Sequence, residues 1–389
     1  LSRVLVLDDH YRKFYLGDAC FWFLYNTRRT IHSVSGDTAC RINCANSKVF
    51  PLLTEMFRGS FGNNTVFNNT DWEEIDFSEY DLVLCHPDSI LKLLAFMDRS
   101  PEKLFANTSV YYYNHMTEPR QVSDRHRWNY SMLIREKPDD AAARQRERLL
   151  QTKHKAIVIT TEERRWADAW MLEQGVQENE KVVVIVDSAS SPDKLLSEEV
   201  LSQMVRWWLS MPGYKLLFFD EKRTGKKARL CNSFGVDLFS KMVVAEGFGI
   251  RKDMLLMAGN QVAAVIGPCT GLLHLANGIY SYLKSAEPRE TFRMPLLLVY
   301  TGRLKFLGNG YHPNEWWLAT AVKCAIICKD TSGKKCIKKI TQVPRDKDSY
   351  AKIALPVSEI SFELLRGFIE QHLPDAVQAR ERLEYAGTG

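Results

Sequence analysis

Three short stretches place chemically capable side chains where a strand-like run gives way to a helix-like one. In "DDHYRKFYLGDACF", Gly17-Asp18 opens the first long helix-like segment. Asp18 is either a helix cap or a general base; a carboxylate accepting amide hydrogen bonds is a poor base, so the two roles compete. In "VIVDSASSPDKLLSEE", the small hydroxyl residues Ser188, Ser190 and Ser191 follow a strand, and Lys194 precedes a helix starting near Ser197. Small residues let a ligand approach the backbone, and hydroxyls with a lysine can neutralise phosphate. The spacing is not that of a P-loop, and an ordinary helix entry has the same appearance.

The third stretch is "VIGPCTGLLHLANGI", from Val265 to Ile279. A strand breaks at Gly267-Pro268, turns on Thr270-Gly271 and continues as a helix. The first amides of a helix lack intrahelical acceptors, so such a turn can present amides and the Thr270 hydroxyl to a diphosphate. His274 follows on the first helical turn, where a packed structural role is the commoner one. Cys269 is an unexpected residue at this turn, because a thiol hydrogen-bonds weakly.

The elements that position these turns alternate. In the first half, strands are expected at "RVLVLDD" (3–9), "DLVLCH" (81–86), "SVYYYNH" (109–115) and "KAIVITT" (155–161), with helices at 17–29 and 89–97. In the second half, strands are expected at 181–187, 214–220, 261–267 and 295–302, with helices at 197–211 and after Thr270. This order predicts an α/β fold of two Rossmann-like, doubly wound domains facing a cleft. The expected divisions are an acceptor-side domain over 1–176, a donor domain over 177–356 and a helical tail over 357–389. In that tail, Ile360, Phe362, Leu364, Leu365, Phe368 and Ile369 recur at helical spacing.

Composition narrows the class. The chain has 389 residues, 45% hydrophobic and 25% charged, with a net charge of +5. That charge is too small to predict a nucleic-acid partner. No window approaches ~18 uncharged apolar residues, so no membrane-spanning helix is expected, and the first residues read as a strand rather than a secretion signal. Residues 120–155 hold ten Lys or Arg against five acids. That stretch is either a solvated helix face or a patch for an anionic acceptor or membrane surface. Nine irregularly spaced cysteines suggest reduced thiols rather than a disulfide framework. Cys324, Cys328 and Cys336 could hold zinc or iron with a fourth ligand such as Cys231 or His312, although the spacing lacks the tight pairing of a strong site. Trp316, Trp317, Tyr111, Tyr112 and Tyr113 suit core packing better than ligand stacking.

Taken in order, these turns resemble the ADP-heptose heptosyltransferase family of GT-B glycosyltransferases. Gly17-Asp18 matches the family's Gly-Asp after the first strand. Ser188-Ala189-Ser190 with Lys194 matches its Gly-Ala-Ser-like turn and following lysine. "IGPCTGLLHLA" (Ile266–Ala276) matches I-G-P-D-[ST]-G-x-x-H-L-A except at Cys269, and the late cysteine-bearing segment before "IKKITQV" is also similar.

The resemblance implies inverting transfer of a heptose-like sugar from a nucleotide diphosphate, ADP-heptose or similar, to an acceptor hydroxyl. Asp18 would be the base, and Ser188, Ser190, Lys194, Cys269, Thr270, Gly271 and His274 would form the donor side. Gly17, Arg12 and Lys13, in a loop that also carries Asp8, Asp9 and His10, would face the acceptor. No metal or other cofactor is implied. The implied acceptor is a lipopolysaccharide core saccharide or a protein, and the implied location is cytoplasmic with peripheral contact at the inner membrane. Cys269 replaces an Asp expected to contact the donor sugar. Rival readings are the same fold with another nucleotide sugar, a nucleotide-sugar epimerase, and a binding protein without turnover.

Overall fold

The computed structural model describes residues 156–286, 294–303, 317, 322–344 and 347–373. Before these it describes 2–7, 17, 20, 24–25, 27–28, 31, 40–44, 50–61, 66–69, 72–85, 93, 95, 99, 109–112 and 120–121. The chain divides into two compact units, Leu1–Val158 and Ile159–Gly389.

The first unit is built on a six-stranded sheet of order β3-β2-β1-β4-β5-β6. Its strands are β1 (Ser2–Leu7), β2 (Cys40–Cys44), β3 (Val66–Asn69), β4 (Leu82–Cys85), β5 (Ser109–Tyr112) and β6 (Arg120–Gln121). All neighbours pair in parallel except β5 with β6. Val4, Leu5, Val6 and Leu7 are wholly buried, as the continuous apolar run of a central parallel strand requires. β2 and β3 escape a pattern search because "CRINC" and "VFNN" carry Arg and Asn instead of an apolar run.

The strand expected over "KAIVITT" does not form. Residues 156–160 pair with no strand, yet Ala156, Ile157 and Ile159 are buried. They are apolar because they run under cover, with the Arg28 guanidinium donating to the Ala156 carbonyl (2.8 Å) and the Val158 amide to Ser60 Oγ (3.0 Å).

The second unit carries a seven-stranded sheet of order β13-β12-β11-β10-β7-β8-β9. Its strands are β7 (Lys181–Ile185), β8 (Tyr214–Phe219), β9 (Met242–Ala245), β10 (Val262–Pro268), β11 (Leu296–Thr301), β12 (Lys323–Lys329) and β13 (Lys335–Lys339). Only β12 and β13 pair antiparallel. One face packs a core that includes Val183, Trp208, Phe218, Ile266 and Ile327.

Two helices pack into the second unit. The helix Thr161–Glu173, assigned by sequence to the first domain, lies in the second unit. Glu163 accepts two bonds from the Arg251 guanidinium (2.7 and 2.8 Å), and the Asp168 carboxylate accepts from the Asn260 amide (2.7 Å). The second compact unit therefore begins at Ile159 and takes in this helix. The closing helix, Phe362–His372, is no appendage: Leu365, Phe368 and Ile369 complete the same core as Trp208. Residues 374–389 lie outside the described set.

Candidate functional site

In the second unit the chain steps outward through β7, β8 and β9, then returns to lay β10 beside β7 and continues through β11 and β12. The direction of winding thus reverses between β7 and β10. Loops leaving the carboxyl ends of two such strands diverge to opposite faces and open a crevice, which is where ligands of open α/β sheets bind. Both phosphate-capable turns of this half leave from there.

β7 reads "KVVVI", and its last four residues are buried, so it forms the centre of the sheet. Its pairing to β10 runs through Ile185↔Ile266 and extends by one bond, from the Val186 amide to the Ile266 carbonyl (2.9 Å). Beyond that the side chains become polar and the ladder stops. Ser188 is half-buried and Ser190 exposed. Pro192 opens a single 3-10 turn, Pro192–Lys194, which brings Lys194 back toward the crevice. Ser197 then caps the helix Glu198–Leu209, its hydroxyl accepting from the Val200 amide (3.3 Å).

On the β10 side Gly267 is required by close approach. A Cβ there would lie 2.7 Å from the Val186 Cβ and 2.9 Å from its carbonyl oxygen. Pro268 ends the strand because it has no amide to donate. The Thr270 carbonyl accepts from the amides of Leu273 (3.1 Å) and His274 (3.3 Å), which fixes the helix start at Gly271. That helix runs 16 residues to Ala286 with a nearly continuous buried face. Its positive end opens at Cys269–Gly271.

The two turns meet. Lys194 Nζ donates to the Cys269 carbonyl at 3.4 Å, across 75 residues of sequence. A lysine charge and a helix N-terminus thereby converge on one end of the crevice. This arrangement suits a diphosphate, because the fixed dipoles and the cation need no reorganisation when charge develops on it.

His274 is buried and stacks on the more deeply buried Trp317, with ring centroids 4.2 Å apart and planes 10° from parallel. Cys269 is half-buried, and Cys324 lies near it: burial, and secondarily Cys269, raise the Cys324 thiol well above its ordinary range.

Sequence reasoning missed one feature beside this crevice. Asp187, the residue after Val186, forms an ion pair with Lys226 Nζ at 2.6 Å, and Lys226 also donates to the Phe219 carbonyl (2.6 Å). Lys226 is held by the turn that follows β8. There the buried Asp220 carboxylate accepts from the Thr224 amide and hydroxyl and from the Lys226 amide, at 2.8–2.9 Å. Burial acts to raise the Asp220 carboxyl, but these hydrogen bonds and the Lys226 charge outweigh it and bring the group down to about 2. Gly225, at φ 77°, supplies the left-handed step that starts the next helix, Lys226–Phe234. The available signal was an acid ending each of two buried strands, "VIVD" and "LFFD".

Of the first-half candidates, Gly17 is described as half-buried and helical. Asp18, Arg12, Lys13, Asp8, Asp9 and His10 lie outside the described residues, as do His312, Trp316, Tyr113 and the side chains of Tyr111 and Tyr112. So does most of the basic stretch 120–155. Among the described residues, no cluster of three or more His, Cys, Asp or Glu could hold a metal ion, and no helix is long and apolar enough to cross a membrane. A cavity of ≈ 280 Å³ at the amino ends of β7, β8 and β10, reached by Lys181, Tyr214 and Gln261, lies at the opposite end of the sheet from the crevice.

No protein-family model and no curated protein matches the sequence. Solved structures do match the fold. The Escherichia coli ADP-heptose lipopolysaccharide heptosyltransferase II is similar at a TM-score of 0.52 and 12% identity, over 96% of this chain and 99% of that one. A glycosyl transferase of family 9 from Veillonella parvula DSM 2008 is similar at 0.54 and 13% identity, over 96% and 97%. The fold is of the GT-B type, as the order of the sequence motifs implies.

Proposed function

We propose that this chain is a glycosyltransferase whose second unit holds a nucleotide-diphosphate sugar in the crevice between β7 and β10. The observation that carries the reading is the Lys194–Cys269 contact, which sets a lysine beside the N-terminus of the helix Gly271–Ala286 at the winding reversal. The diphosphate lies against the Gly271 end of the helix. Thr270 and Lys194 supply further donors, and Ser188 and Ser190 border the approach. The negative charge that appears on the departing nucleoside diphosphate is met there by charge and dipoles already in place.

Asp18 is the base that takes the proton from the acceptor hydroxyl, attack proceeds with inversion, and Gly17, Arg12 and Lys13 lie on the acceptor side. The donor is ADP-heptose or a near relative, with Cys269 beside the sugar. The acceptor is an anionic saccharide-lipid of the lipopolysaccharide core, engaged by the basic stretch 120–155 at the membrane surface. Both assignments draw on the motif order and on the folds of the similar proteins.

The test is a panel of nucleotide sugars with lipopolysaccharide-core and protein acceptors, read by release of nucleoside diphosphate. Turnover with one donor–acceptor pair that collapses in Asp18→Asn supports the reading. Donor binding without any transfer favours a binding protein, and an epimerised sugar in the absence of acceptor overturns transfer. Undiminished turnover in Asp18→Asn removes Asp18 as the base.

A further inference from the structure

The second unit contains a reactive arrangement apart from the crevice. β12 and β13 form an antiparallel hairpin in which Cys328 stands directly opposite Cys336. Residues opposite one another in such a pair share a sheet face. The two sulfurs are 3.7 Å apart. Cys328 is completely buried, whereas Cys336 is partly exposed.

The hairpin holds this register firmly. The Asp330 carboxylate accepts from the Ser332 amide (2.8 Å) and the Lys334 amide (3.0 Å), and Gly333 takes the left-handed conformation the turn needs, at φ 84°. β12 is also paired to β11 as far as Ile326, and Cys328 itself bridges Ala354 on that side, so it is fixed between two partners. Among the described residues, no third His, Cys, Asp or Glu joins the pair in a group that could hold a metal ion.

We propose that Cys328 and Cys336 are a peroxide-oxidisable thiol pair that closes into a disulfide across β12 and β13. Closing it brings the sulfurs from 3.7 Å to a bond of ~2 Å, a change within reach of small side-chain rotations. Cys336 reacts first, because it is the accessible member of the pair and Cys328 is buried. Its thiolate attacks one oxygen of hydrogen peroxide, the O–O bond breaks, and hydroxide leaves as water after taking a proton. The product is the sulfenic acid of Cys336. Cys328 sulfur then attacks that sulfur, the S–O bond breaks, and the leaving hydroxide departs as water with the Cys328 proton. Two thiols lose two electrons in total, and peroxide is reduced to two waters.

The experiment exposes the full chain to hydrogen peroxide, quenches, unfolds, alkylates the remaining thiols and maps tryptic peptides by mass spectrometry. A Cys328–Cys336 cross-link that disappears on reduction is expected, with fragmentation separating Cys328 from Cys324, which shares its peptide Cys324–Lys329. In Cys328→Ala the reaction should stop at a Cys336 sulfenic acid that dimedone captures. If that variant fails to fold, the wild-type cross-link still decides. Unchanged alkylation of both cysteines overturns the proposal, as does a cross-link to Cys231, Cys269 or Cys324, or over-oxidation of Cys336 without a cross-link. The readout is covalent and does not depend on sugar transfer.

Discussion

Lys194 Nζ lies 3.4 Å from the carbonyl oxygen of Cys269 and joins two turns that leave neighbouring parallel strands. The contact makes Lys194 the bridge over the crevice rather than a solvent-facing residue of a helix entry. It also points the ammonium at the same place as the first amides of the helix that starts at Gly271.

Removing that ammonium in Lys194→Ala should weaken binding of a nucleoside diphosphate by about 10–100-fold, the loss expected for a hydrogen bond to a charged group. Folding stability should change by less than about 0.5 kcal/mol, because Lys194 packs no core. Calorimetric titration with ADP and UDP, alongside urea unfolding, separates the two effects. Unchanged nucleotide affinity would place the diphosphate elsewhere.

Cys269→Asp introduces a strong acceptor at the crevice mouth, two residues before the helix start. The expected outcome is a changed preference among donor sugars in competition assays, with affinity for the free nucleoside diphosphate nearly the same. An unaltered donor profile would mean that Cys269 only fills space.

Asp220 carries a pH signature. Its carboxyl falls from an ordinary 3.8 to about 2 in the folded chain, so folding favours the ionised form. The stabilisation is therefore fully present above about pH 4 and is lost as pH falls through about 2. Urea unfolding midpoints measured from pH 2 to 5 should decline in acid for the wild type, and the decline should be shallower in Asp220→Asn. The same variant should loosen Lys226 and with it the pair to Asp187.

Glu163→Gln tests why the helix Thr161–Glu173 belongs to the second unit. Arg251 is 5% exposed and donates two of its bonds to this carboxylate, so neutralising Glu163 leaves a buried cation poorly compensated. A loss of about 2 kcal/mol is expected, or a Tm lower by about 4–8 °C. Because Gln keeps the side-chain acceptor of the capping box with Thr160, helix content at low temperature should hold. A variant as stable as wild type would mean that Arg251 is satisfied without the ion pair.

Much of this architecture was legible in the chain itself. Continuous apolar runs such as "VLVL", "KVVVI" and "VAAVIG" read as strands covered on both faces, and their alternation with amphipathic helices points to a parallel, doubly wound design. Likewise, Gly267-Pro268 followed by Thr270-Gly271 ends a strand and starts a helix through local backbone chemistry alone, and both turned out where expected. Tertiary structure decided what local pattern could not. The run "KAIVITT" is as apolar as a strand but pairs with none, since burial alone does not create a hydrogen-bonding neighbour. The helix Thr161–Glu173 follows Arg251 and Asn260, partners about 90 residues away that no window of sequence can reveal. The meetings of Lys194 with Cys269, Asp187 with Lys226 and Cys328 with Cys336 depend on strand order and register. Those are settled only when the whole sheet packs, because side-chain patterning tells which face of a strand is buried but not which strand lies beside it.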